Sequence, residues 1–327
     1  MRVLVTGGAG YIGSLTVAQL RARGDEVVVL DSLETGQRAA LGDTPLIVGN
    51  IADSALVAQI CQEQRIEAVL HFAAYKSVGA SMQQPALYFA NNVHNTALLL
   101  EALRQAGVTT FIFSSSAAVY GTPTDLPVGE ASAIRPENPY AESKVMVEQM
   151  LHWFAVCHGL RFVSLRYFNA AGAALDGQMG EDFTVATNLV PLVMKAALGV
   201  VPAVQVFGTD YPTPDGTCIR DYIHVVDLAD AHLKALDYLQ AGGDSTIVNL
   251  GIGKGASVKE VIDAACRISG IAIPVNITER RKGDPTAVWA DNTKARTLLQ
   301  WEPRYDLETI IQTAWQWHST HPHGYGA

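Results

Sequence analysis

Ser116, Tyr140 and Lys144 are the residues of this chain whose types and spacing most plainly make chemistry possible. Tyr140 and Lys144 stand at i and i+4 in a helical stretch, so they share one face. A free phenol has a pKa of about 10. An ammonium one turn away favours the phenolate, and a second positive charge nearby would favour it further. The pair is therefore expected to be a base usable near neutral pH. Ser116 closes the run FIFSSS, and its hydroxyl can hydrogen-bond the same substrate hydroxyl. A YxxxK pair alone is common on helix surfaces. Here it follows a strand ending in three serines and lies downstream of a glycine turn.

That turn lies in Arg2 to Asp31, RVLVTGGAGYIGSLTVAQLRARGDEVVVLD. Arg2–Thr6 is a short β-branched run suited to a buried parallel strand. Gly7, Gly10 and Gly13 follow at GxxGxxG spacing, and helical periodicity starts at Ile12. Glycines allow the sharp turn, let backbone N–H groups approach a pyrophosphate, and pack helix against strand. The helix N-terminus adds positive partial charge toward those phosphates. Asp31, at the end of the second strand, can accept from both ribose hydroxyls and would repel a 2′-phosphate. The cofactor is accordingly expected to be NAD rather than NADP.

The elements that must position these groups follow an alternating pattern. Strands are expected at Pro45–Val48, Glu67–Phe72, Thr110–Ser114 and Phe162–Tyr167. Helices are expected from an Asp53 cap to about Gln64, from Pro85 to Gln105, and over Tyr140–Cys157. Ala73–Ser81 and Gly121–Pro139 are expected as loops. This is the pattern of a doubly wound parallel sheet, an α/β Rossmann fold. After about residue 170 the pattern loosens, and a smaller C-terminal α/β substrate domain is expected over 171–327. Residues near 221–251 are expected to return to the first unit, through a helix at Val226–Leu239 and a strand at Ser245–Leu250.

Composition limits the alternatives. The 327 residues are 49% hydrophobic, enough for a sizeable core. A formal charge of −9 without a basic run argues against nucleic acid or an anionic membrane as partner. Cys61, Cys157, Cys218 and Cys266 lack metal-ligand spacing and read as reduced thiols, as in the cytoplasm. The first strand begins at residue 2, so no signal peptide is expected. Leu189–Phe207 is the most apolar stretch, but Pro191, Lys195 and Pro202 interrupt it. No metal is expected.

The segments TGGAGYIG, FIFSSSAAVYG, NPYAESK, LRYFNAAGA, GTDYPTPDGTCIRDYIHVVDLADAH and RRKGDP span nearly the whole chain. Together they resemble the extended short-chain dehydrogenase/reductase family, and within it the UDP-sugar 4-epimerases; the DYPTPDGT block is the most specific. The resemblance implies interconversion of UDP-glucose and UDP-galactose. The sugar is oxidised at C4 to a ketone by NAD, turns over, and is reduced on its other face, so NAD should stay bound. It implies NAD contacts at Gly7, Gly10, Tyr11, Ile12, Gly13 and Asp31, with Asn50 and Ile51 beside adenine. Phe72, Ala73, Lys76 and Asn92 would meet the ribose–nicotinamide side, with Tyr140, Lys144, Tyr167 and Phe168 at the nicotinamide. Ser116 and Tyr140 would touch the reacting hydroxyl. UDP would be held by Asn169, Asn188, Val204, Gln205, Val206, Phe207, Arg220, Tyr222, Arg281 and Asp284. Arginines suit the diphosphate, Asp284 a ribose hydroxyl and Phe207 the uracil.

Asn50 replaces a frequent Asp, and Ala118 a frequent Thr, so Ala118 is left out of the catalytic set. A nucleotide-sugar dehydratase would need a carboxylate pair at Ala117 and Ala118, and is discounted. A 4-epimerase of a uronic acid or pentose stays open. A non-catalytic NAD-binding regulator would be expected to lack Tyr140 or Lys144. Val288 is expected to line the sugar pocket where some relatives carry Tyr, which would open space for an N-acetyl group. Apolar residues Leu98–Leu100, Met146, Met150, Trp153 and Phe154 exceed one inward stripe, and in the proteins the chain resembles these helices form a homodimer bundle.

Overall fold

The computed structural model describes residues 1–183, 186–281 and 283–326; Lys282 of the RRKGDP motif lies outside them. The first half of the chain alternates strand and helix. β1 (Arg2–Thr6), α1 (Tyr11–Arg23), β2 (Glu26–Asp31), β3 (Leu46–Val48), α2 (Ser54–Glu63) and β4 (Ala68–His71) come first. They are followed by α3 (Val78–Gln83), α4 (Pro85–Tyr88), α5 (Asn95–Gln105), β5 (Thr110–Ser116), α6 (Pro139–His158) and β6 (Arg161–Tyr167). The second half holds β7 (Asn169–Ala171), α7 (Leu189–Ala197), β8 (Val204–Phe207), β9 (Ile219–Arg220), β10 (Tyr222–His224), α8 (Val225–Gln240) and β11 (Thr246–Leu250). Last come β12 (Ala256–Ser257), α9 (Val258–Ser269), β13 (Val275–Thr278), β14 (Ala287–Val288), α10 (Thr293–Leu299) and α11 (Leu307–Thr320).

Seven strands form one sheet in the order β11-β6-β5-β4-β1-β2-β3. All of its pairings are parallel. Buried strands such as Val3–Val5 and Ala68–Leu70 need cover on both faces, as their uninterrupted apolar runs require. One face packs with α1 and α8, the other with α2, α5 and α6. The chain moves outward from β1 to β2 and β3, then returns to β4 on the other side. That reversal opens a crevice at the carboxyl ends of β1 and β4, where open α/β sheets bind ligands.

The later elements build around a separate apolar cluster of α7, α9 and α11, including Val193, Met194, Val261, Ile310 and Ile311. Two short sheets, β8 with β13 and β12-β9-β14, flank it. β11 lies beside β6 at the edge of the large sheet, and α8 packs on α1, so residues 225–250 belong to the first layer structure.

Local boundaries follow from capping. Asp53 caps α2 by accepting from Leu56 N at 3.0 Å, as expected. Asn138 accepts from Ala141 N at 2.9 Å, and Pro139 takes the first helical position, which fixes where α6 starts and hence where Tyr140 points. Three details differ from the sequence reading. Ala73–Ser81 is not wholly loop, because Ser77 caps α3 from Val78. The helix expected over Pro85–Gln105 is interrupted by a π-helical segment, Phe89–His94. β5 continues through all three serines to Ser116, whose extended backbone ends the strand.

Candidate active site

The glycine turn after β1 is compulsory at two points. Gly7 has φ +72°, and a Cβ there would collide with the Ala73 backbone; a Cβ at Gly13 would collide with Gly7 O. The turn therefore lies flat against the loop after β4. No side chain caps α1 at Gly10, which leaves its first-turn N–H groups for a ligand. Asp31 is buried, and its carboxylate accepts from Ala9 N and Leu33 N, both at 2.9 Å. It is thus fixed as an acceptor at the tip of β2.

These features open into a cavity of about 310 Å³ at the crevice. Gly7, Gly10, Tyr11, Ile12, Gly13, Asp31, Asn50, Ile51, Phe72, Ala73, Lys76, Tyr140, Lys144 and Tyr167 all line it. Asn92 does not; its neighbour Asn91 does. Asn92 is buried behind the wall, where Oδ1 accepts from Tyr75 N at 2.9 Å. Its Nδ2 donates to Tyr75 O at 3.0 Å and Ser143 Oγ at 3.1 Å. The Asn92 side chain thus braces the loop after β4 against α6. Both asparagines lie in the π-helical segment, where consecutive residues point in different directions.

A glycine cradle, a free helix N-terminus and a fixed acid suit a dinucleotide with a 2′-hydroxyl, so the residues fit NAD. Asp31 leaves a 2′-phosphate facing a carboxylate, which disfavours NADP.

Tyr140 and Lys144 reach this cavity from α6, as i and i+4 require. Lys144 Nζ donates to Ser114 O at 2.8 Å and lies 5.8 Å from the Tyr140 ring centre. Burial raises the Tyr140 phenol above its ordinary value, and a hydrogen bond with Ser116 opposes the rise. Burial lowers Lys144 to about 8, with the Glu148 carboxylate opposing. Burial thus works against the phenolate that the YxxxK spacing favours. Spacing reveals the partner charge but not the depth of burial, and here burial wins.

Under the site lies a buried ionic network that spacing did not reveal. Arg166 Nη2 meets Glu148 Oε2 at 2.5 Å, and Ser115 Oγ donates to Glu148 Oε1 at 2.6 Å. Arg166 Nη1 donates to the Tyr120 hydroxyl at 2.9 Å, which donates to Asn249 Oδ1 at 2.7 Å. The only sequence signal was that Glu148 follows Lys144 by one turn of α6. His71, His224 and His232 are buried, with hydrogen-bonded rings, and burial lowers each of them.

A second cavity, about 480 Å³, opens beside β7, β8 and α7. Asn169, Asn188, Val204, Gln205, Val206, Phe207, Arg220, Tyr222, Arg281 and Asp284 all line it. Arg281 lies over the Phe207 ring, 3.6 Å from its centre, and Arg220 Nη2 meets Asp284 Oδ1 at 2.5 Å. Asn169 Nδ2 donates to Asp221 O at 2.9 Å, which fixes it next to Arg220. Tyr167 and Asn169 are two residues apart at the end of the same chain segment, one in each cavity. The two cavities therefore adjoin at the end of β6, beside Ser116, which pairs with Tyr167 across the sheet.

Besides Asn92, three expected residues, Ser116, Phe168 and Val288, line neither cavity. Phe168 and Val288 lie together in a buried cluster with Val119, Tyr120 and Val128, against Ala117. Alternation explains Phe168: Tyr167 and Asn169 face the site, so the residue between them faces away. Val288 is held by β14, where its carbonyl accepts from Asp221 N at 3.1 Å.

Residues 3–251 match the profile of the NAD dependent epimerase/dehydratase family. A UDP-glucose 4-epimerase of Halalkalibacterium halodurans is 48% identical, over 99% of this chain and 98% of its own. The chain belongs to the NAD dependent epimerase/dehydratase family. Among solved structures, the UDP-glucose 4-epimerase of Brucella ovis in complex with NAD has a TM-score of 0.94 and 46% identity, covering 96% of this chain and 97% of its own. The enzyme of Bifidobacterium longum in complex with NAD+ and UDP has a TM-score of 0.93 and 39% identity, covering 99% of this chain and all of its own. Family membership agrees with the all-parallel sheet and its glycine crevice. Among the described residues no helix is long and apolar enough to cross a membrane.

Proposed function

We propose that this chain interconverts UDP-glucose and UDP-galactose with a retained NAD. The observation that carries the reading is that two cavities of different chemistry adjoin at Tyr167 and Asn169, next to Tyr140 of the first and to Ser116, the partner of Tyr167 on β5. One suits a dinucleotide; the other offers two arginines, an acid and an aromatic ring to a nucleoside diphosphate. The relatives' names support the same substrate pair.

NAD, when bound, supplies the hydride acceptor and donor for C4 of the sugar, and its oxidised ring adds positive charge near the phenol. The chain's own residues then divide the work. Tyr140, in its phenolate form, accepts the proton of the C4 hydroxyl and later returns it. Ser116, whose hydroxyl lowers the pKa of the phenol, can hold the same substrate oxygen. Lys144, fixed by Ser114 O, supplies the positive charge that a buried phenolate needs. Arg220 and Arg281 hold the diphosphate while the keto sugar turns, so the nucleotide stays seated as the other face is presented. The buried Tyr140 and the half-buried rings of Phe72 and Tyr167 line the site beside the reacting atoms.

The substrate range extends, in this reading, to UDP-N-acetylglucosamine and its galacto epimer. The support is that Val288 is small and sits in the cluster packed against Ala117, the residue after Ser116, although it lines neither cavity. The working form is a homodimer through α5 and α6. Leu99 and Leu100 are consumed by the chain's own core, but Trp153 is 62% and Val156 63% exposed on α6. Purified protein incubated with UDP-galactose alone, with products resolved by chromatography, tests the activity. Formation of UDP-glucose supports it, and unchanged substrate contradicts it.

A further inference from the structure

The outer wall of the dinucleotide cavity is supplied by the far end of the chain. Gly180, Glu181, Asp182 and Tyr325 line the cavity opposite the glycine turn. Gly180 N donates to the Tyr325 hydroxyl at 3.1 Å, and that hydroxyl lies 3.2 Å from Gly180 O as donor. One phenol thus satisfies both main-chain groups of a single residue. Behind it, Trp317 packs on the Tyr325 ring at 4.9 Å and donates from Nε1 to Glu181 O at 3.0 Å. Gly324, at φ +65°, makes the turn that delivers Tyr325, and a Cβ there would press on the Asp182 carboxylate.

From the other side, two links cross the cavity mouth. Lys76 Nζ meets Glu181 Oε1 at 2.7 Å, and Gln37 Nε2 donates to Asp182 Oδ2 at 2.8 Å. Residues 180–182 are thus held from both sides, by the sheet unit and by the segment after α11. A dinucleotide lying along the glycine turn would be enclosed by them, and it could leave only after these links open.

We propose that Tyr325, set by Gly324, is a cofactor-retaining residue: it fixes residues 180–182 as the outer wall of the dinucleotide cavity and slows NAD release. This rests on the cofactor reading above. The segment is not part of the substrate cavity and touches neither Tyr140 nor Ser116, so its effect falls on retention rather than on the chemical step.

The test compares NAD release from wild type, Tyr325→Phe, Gly324→Ala and a chain ending at Thr320. Each is loaded with NAD, passed over a desalting column, and sampled for free nucleotide over time. UDP affinity and the circular dichroism spectrum of each variant serve as controls for folding. A net hydrogen bond of about 0.5–1.5 kcal/mol predicts release about two- to tenfold faster for Tyr325→Phe. Gly324→Ala and the shortened chain should release NAD faster still, with UDP affinity unchanged. If the wild type holds NAD and all three variants hold it as long, the assignment of Tyr325 is wrong while the cofactor reading stands. A wild type that takes up no NAD overturns both.

Discussion

Lys144 Nζ donates a 2.8 Å hydrogen bond to the main-chain oxygen of Ser114, two residues before Ser116 on the same strand. This one bond ties α6 to β5, and so ties the helix carrying the phenol to the strand carrying the hydroxyl. The geometry of the proposed base and its partner therefore depends on a lysine that is itself buried.

Removing the phenol oxygen tests the base directly. Tyr140→Phe keeps the ring's packing and should lower kcat by roughly 10²–10⁴. Ser116→Ala should cost less, because it removes a hydrogen bond and not the proton acceptor. Steady-state kinetics on UDP-galactose check both, and near-normal turnover by Tyr140→Phe would remove that residue from the assignment.

Lys144 should set the alkaline limit of activity. Burial lowers it to about 8, so its charge is lost as pH rises through that value and kcat should fall. Glu148 holds the lysine up, so Glu148→Gln should move the alkaline limb to lower pH. For stability the sign is opposite. Between about 8 and the ordinary lysine value near 10.4, the unfolded chain holds a proton that the folded chain does not, so this group's contribution to stability rises with pH there. A pH–rate profile with no change in its alkaline limb in Glu148→Gln would contradict the coupling.

Much of this arrangement was legible beforehand because it is local. GxxGxxG between a strand and a helix, and Tyr140 with Lys144 one turn apart, are short-range patterns with one physical meaning each. The contacts that were not legible join distant segments. Tyr325 meets Gly180 across 145 residues, and Arg166 meets Glu148 between a strand and a helix, with no period to mark either pair. The burial of the phenol was not legible for a related reason, since packing decides it. The π-helical segment at Phe89–His94 was likewise not legible, because no sequence period marks it.

Val288→Tyr tests the substrate range. Wild type should turn over UDP-N-acetylglucosamine as well as UDP-glucose, and the variant should lose the former selectively. Val288 is buried beside Phe168, so overpacking could also cost about 1–3 kcal/mol. Comparing kcat/KM for both pairs separates the two effects: a selective loss supports the range, and an equal loss assigns the residue to packing alone.

The exposed Trp153 and Val156 predict a dimeric mass by light scattering at micromolar concentration. Trp153→Glu would place a charge in that contact and should shift the mass toward one chain without removing NAD. A monomeric wild type would contradict the proposed assembly.

The central claim is that hydrogen leaves C4 of the sugar and returns to the same carbon within one closed site. UDP-galactose carrying deuterium at C4, given to the purified protein in ordinary water without added NAD, tests it most directly. UDP-glucose that keeps the deuterium at C4, formed more slowly than from the unlabelled substrate, is the expected result. Product in which that deuterium has been exchanged for solvent hydrogen would contradict it.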